Sequence, residues 1–148
     1  MSFNIDLDEL KSLKENIEKL DTDTICLACA KELTARLLAK VVKRTPVGDY
    51  PHRVGGNLRR GWTGGVQKTV MEYVDGMHIS RNGTNYNIEI VNPVEYASYV
   101  EYGHRKSNHT GWVEGQFMLT ISVNEIKANS QAIIEKKINN WLKEVFRS

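Results

Sequence analysis

Asn92-Pro93-Val94-Glu95-Tyr96-Ala97-Ser98-Tyr99-Val100-Glu101-Tyr102-Gly103-His104 is the stretch on which the reading of this chain turns. Asn-Pro forms a turn, Pro93 suits a first helical position, and Gly103 suits a helix end that needs positive φ. Between them Tyr96, Tyr99 and Tyr102 recur every third residue, so a short helix over 93–103 sets three rings on one face. No catalytic set accompanies them. The segment reads as a packing or docking element.

Working toward the amino terminus, the spacing of Leu7, Leu10, Leu13, Ile17 and Leu20 predicts a surface helix from Asp6 to Leu20, with Asp6 and Glu9 as a capping box. Asp21 to Thr24 offer caps for a second helix reaching about Lys43, better buried and carrying Glu32, Arg36 and Lys40 as a charged row. Together the pair occupies 6–44. Thr45-Pro46 ends it, because proline disfavours helix in the residue before it. The basic, glycine-rich stretch 45–65 has six glycines and reads as a functional loop, with Leu58 as an apolar anchor beside Arg59 and Arg60.

Strand signals fill 66–92. Val66 to Val74 is rich in β-formers, and Met77 to Arg81 pairs across Asn82-Gly83 with the alternating run from Asn85 to Val91. Such a meander is too small to stand without helical cover. After the tyrosine segment, 104–115 is a polar second loop, and 116–147 closes the chain as a helix of roughly 45 Å. That length implies a kink near Asn129-Ser130 or an end that projects to a neighbour. The expectation is one α+β domain over 1–148: a small antiparallel sheet of three to four strands against an N-terminal helix pair and a long C-terminal helix, with two long loops.

Composition bounds the function. Hydrophobic residues make up 41% and charged residues 26%, as in a folded globular protein, and the net charge of +2 gives no global case for nucleic acid. Locally, Lys43, Arg44, Arg53, Arg59 and Arg60 against Asp49 leave +4. That cluster is the basis of an alternative reading, a nucleic-acid-binding module. No apolar run is long enough for a membrane span, and the acidic start lacks a signal peptide's regions. The chain is expected to act where it is made, or to travel inside an assembly.

Cys26 and Cys29 sit in an apolar helical run without a second ligand pair, and read as two small buried residues rather than a zinc or redox site. His104 and His109, with Glu101 and Glu114 nearby, lack a matched ligand set. Nucleophile-elbow, phosphate-loop and dinucleotide spacings are missing, so neither enzyme activity nor a cofactor or metal is expected. Arg59 and Arg60 are read as partners of Glu95 or Glu101, or as contacts to passing DNA.

Three motifs in order, Thr45-Pro46-Val47, Gly56-Asn57-Leu58-Arg59-Arg60-Gly61-Trp62 and Tyr96-Ala97-Ser98-Tyr99-Val100-Glu101-Tyr102-Gly103, resemble the tail-component family of tailed bacteriophages and prophages. Gln116-Phe117-Met118-Leu119 fits that family's aromatic before a terminal helix. The spacer from Val47 to Gly56 is longer than the family's usual one, and Phe117 lacks a preceding proline. The resemblance implies a non-enzymatic structural protein of tail completion or head–tail joining. It would assemble in the host cytoplasm into the virion's neck or tail, as a homo-oligomeric ring of six around the channel. Neighbouring neck or tail proteins are its partners, with passing contact to DNA and none to a membrane. The expected interface residues are Leu58, Arg59, Arg60, Trp62, Tyr96, Tyr99, Glu101, Tyr102 and Trp112.

Overall fold

A computed structural model describes residues 8–18, 20–65, 69–83 and 85–147. Its frame is a pair of long helices, α2 (Thr22–Arg44) and α6 (Met118–Arg147), packed along one another. Asp21 caps α2 by accepting from Thr24 N at 3.2 Å. Glu125 on α6 bridges Lys40 at 2.9 Å and Arg44 at 2.6 Å, while Glu32 on α2 takes Arg36 at 2.7 Å and Lys137 at 3.6 Å. The pairing runs 32 with 137 and 44 with 125, so the helices are antiparallel. α1 (Asp8–Glu18) packs on α6. The capping box expected at Asp6 and Glu9 lies outside the described residues.

The core lies where the end of α2 meets the start of α6. Leu38, Val41, Val74 and Met118 are fully buried there, with Ala35, Leu58 and Trp62 nearly so. Each large side chain of this kind contributes about 1.5–3 kcal/mol by leaving water. Three short helices close over it: α3 (Asn57–Gly61), α4 (Val70–Asp75) and α5 (Ala97–Tyr102).

The expected meander over 66–92 needs correction. Val70–Asp75 is helical, opened by a capping box in which Thr69 and Glu72 exchange hydrogen bonds at 3.2 and 3.0 Å. Val70 and Val74 are four apart, so one helical face suffices to bury them, and the cap outweighs the β-propensity of the run. Val66 lies outside the described residues. The hairpin exists as β1 (Ser80–Asn82) and β2 (Asn85–Asn87), with Arg81 opposite Tyr86. It is shorter than expected, because Met77 and Ile90 pack against the core without ladder bonds. A second hairpin, β3 (Gly103–Arg105) with β4 (Trp112–Glu114), forms inside the stretch expected to be a loop. Among the described residues there are thus four strands, in two separate two-stranded ribbons, and the architecture is α+β. Helix α6 is continuous through Asn129-Ser130.

Candidate assembly surface

Pro46 pushes Thr45 out of helix, to φ −69° and ψ 124°, at the end of α2. That exposes both polar groups of Thr45 to the next segment. Its hydroxyl donates to Val41 O at 2.6 Å and accepts from Trp62 Nε1 at 2.8 Å. Its carbonyl accepts from Arg59 Nη2 at 2.7 Å and Nε at 3.2 Å. The glycine-rich segment is thereby folded back onto α2. Asn92 fastens the other side, donating from Nδ2 to Leu58 O at 2.8 Å. Gly61 permits this approach, since a Cβ there would stand 2.2 Å from Asn92 Oδ1.

The tyrosine stretch makes a matching joint. Glu101, at the buried side of α5, accepts from Leu119 N at 2.8 Å, Thr120 N at 2.9 Å and Thr120 Oγ1 at 2.6 Å. It therefore caps α6 from another element and places a carboxylate on the positive end of that helix. Gly103, at φ +87°, turns the chain into β3; a Cβ would come within 2.4 Å of Val113 O.

These contacts correct several expectations. Arg59 and Arg60 do not pair with Glu95 or Glu101: Arg59 serves Thr45, Arg60 Nη1 donates to Gly55 O at 3.1 Å, and Glu101 serves α6. Leu58 and Trp62 are 4% exposed and Glu101 6%, so in the folded chain these three hold its interior instead of offering a surface. Of the remaining expected residues, Tyr96, Tyr99, Tyr102, Trp112 and Arg60 are exposed, Tyr102 at 63%, and Arg59 is half-buried. Tyr99 lies against His104 with ring centroids 5.6 Å apart.

Next to this aromatic face, the 46–60 segment and α5 enclose a groove of about 520 Å³ lined by Val47, Tyr50, Val54, Arg60 and Tyr96, among others. Arg53 stacks over the Tyr50 ring at 4.1 Å, which keeps a cation beside the groove. Tyr96, Tyr99 and Tyr102 at α5 and Trp112 on β4 are exposed aromatics, the residue type enriched where proteins bind one another.

Cys26 is exposed, contrary to expectation, while Cys29 is buried and its thiol is pushed up from its ordinary pKa by that burial. No three His, Cys, Asp or Glu converge on a metal-sized point among the described residues, and no described helix is long and apolar enough to cross a membrane. What the sequence did not reveal is the role of Thr45. A threonine between a helix and a proline was its only signal.

A family model described as "Bacteriophage HK97-gp10, putative tail-component" matches residues 8–103. The match spans α1 through the first residue of β3; it contains the joint at Thr45 and the Glu101 carboxylate, but not the Leu119 and Thr120 groups that Glu101 accepts from. This chain belongs to the HK97-gp10-like family of bacteriophage tail components. Its place is accordingly the virion. Curated proteins and solved structures gave no match.

Proposed function

We propose that the chain completes the tail or joins it to the head, assembling as a ring of copies around the channel, six being the expected number. It acts by binding and not by catalysis, and it is loaded into the particle in the host cytoplasm. The observation that carries this reading is the outward-facing set Tyr96, Tyr99, Tyr102 and Trp112 mounted on elements locked by Thr45 and Glu101. Large aromatic side chains on a pre-organised support lose little entropy on docking, which is the property interface anchors need.

The rival reading, a nucleic-acid module built on Lys43 to Arg60, has fewer free cations than the sequence promised. Arg44 is held by Glu125 and Ser122, and Arg59 by the Thr45 carbonyl. A ring near DNA still admits passing contact through Lys43, Arg53 and Arg60. The test is deletion of the gene from the phage or prophage that encodes it, followed by electron microscopy of the lysate. Filled heads separated from tails are expected, restored by the gene in trans. Joined, normal particles without it would overturn the proposal, and salt-steep DNA binding by the purified monomer would favour the rival.

A further inference from the structure

Away from the aromatic face, a cleft of about 680 Å³ runs between α2 and the middle of α6. Its apolar lining comes from buried Ile126, half-buried Ile133 and exposed Ala39, and its polar lining from Arg36, Lys40, Lys136 and Lys137. Glu32 is the one carboxylate among the lining residues; with Glu32 on Arg36 and Lys137, and Glu125 on Lys40, four cations still face two carboxylates and Lys136 keeps its charge for a partner. An apolar seam between two helices with cationic borders suits a third, acidic amphipathic helix. A phosphate backbone would leave the apolar lining unused.

The chain carries such a helix. α1 has Asp8, Glu9, Glu15 and Glu18 against Lys11 and Lys14, and its apolar repeat ends at Ile17, which is 51% exposed. None of its described side chains, Lys11 and Lys14 to Glu18, lines the cleft of its own chain. Its 11 residues span roughly 16 Å. The cleft runs from Glu32 to Lys40 on α2, roughly 12 Å, and from Ile126 to Asn140 on α6, roughly 21 Å. Sign, length and apolar character all match.

We infer that α1 of one copy docks into the α2–α6 cleft of the next. The contact joins two different faces of one chain, so repetition closes a ring or grows a filament. This inference rests on the ring reading and names one contact within it. Lys136 faces Glu15 or Glu18 across the joint, and Ile17 covers the seam beside Ile133.

The test uses the full chain with benzoylphenylalanine placed at Ile17, mixed with isotopically heavy protein, at a concentration where light scattering reports oligomer or within purified particles. Irradiation is expected to yield light–heavy cross-links into peptides from 126–140. Lys136→Glu, checked for an unchanged melting temperature, is expected to lower that yield roughly tenfold, and Glu15→Lys with Glu18→Lys on the partner copy to restore it. Cross-links confined to one chain, to another surface or to nucleic acid would overturn the docking, as would full yield from Lys136→Glu. A ring that persists without α1 cross-links sinks this contact alone. Single copies in both solution and particle sink the ring reading as well.

Discussion

The Thr45 hydroxyl is the acceptor for the one polar atom of a nearly buried tryptophan ring. Thr45→Val keeps the branched shape but strands Trp62 Nε1 in an apolar core. We expect a loss of about 1–3 kcal/mol, read as a lower urea midpoint at unchanged slope. Glu101 offers a comparable case with charge. In Glu101→Gln the amide keeps one accepting oxygen and turns two N–H donors toward the donors of Leu119 and Thr120. A loss of about 1–2 kcal/mol is expected by the same measurement. An unchanged midpoint in either variant would show that the joint does not stabilise the fold. Trp62 and Glu101 stand in motifs that the sequence made visible, but their burial depends on where residues 17 to 19 positions away come to rest, and the role of Thr45 had no signal beyond the proline after it.

At the scale of elements, the α2–α6 pair has a pH-dependent seam. Hydrogen bonds from Arg44 first, then Lys40, hold the Glu125 carboxyl below its ordinary pKa, and Arg36 does the same for Glu32. A carboxyl depressed in the folded state adds stability that is complete above the unfolded value, about 4.3, and is lost as pH falls through the folded one. The melting temperature is therefore expected to drop below about pH 4.3, and Glu125→Gln to flatten that drop. Because these side chains are 31–42% open to solvent, high salt should shrink the difference. The long helices were legible because a 3.6-residue pattern sustained over 20 or more residues leaves little room for another reading. Short elements were legible only in part: the β1–β2 hairpin and α5 were, but α3, α4 and β3–β4 were not. Over Val70–Asp75 a local cap decided against β-propensity, and β3–β4 forms because Gly103 turns the chain out of α5 and Lys106 and Gly111 close the turn between the strands, facts without periodicity.

In the whole molecule, the residues that fold the chain and those that face solvent fall into separate sets. Leu58, Trp62 and Glu101 are buried, whereas Tyr99 and Tyr102 are 58% and 63% exposed and, on the proposed function, meet the partner. Removing both rings is expected to leave the melting temperature within about 1–2 °C of the parent, since exposed substitutions usually change stability by no more than about 0.5 kcal/mol. As interface anchors, each is expected to contribute 2 kcal/mol or more to association, on the order of 30-fold in affinity. The most direct measurement is electron microscopy of lysates in which Tyr99→Ala/Tyr102→Ala, shown to melt like the parent, replaces the natural chain. Heads and tails that fail to join are the predicted result, and a normal yield of joined, infectious particles would contradict it.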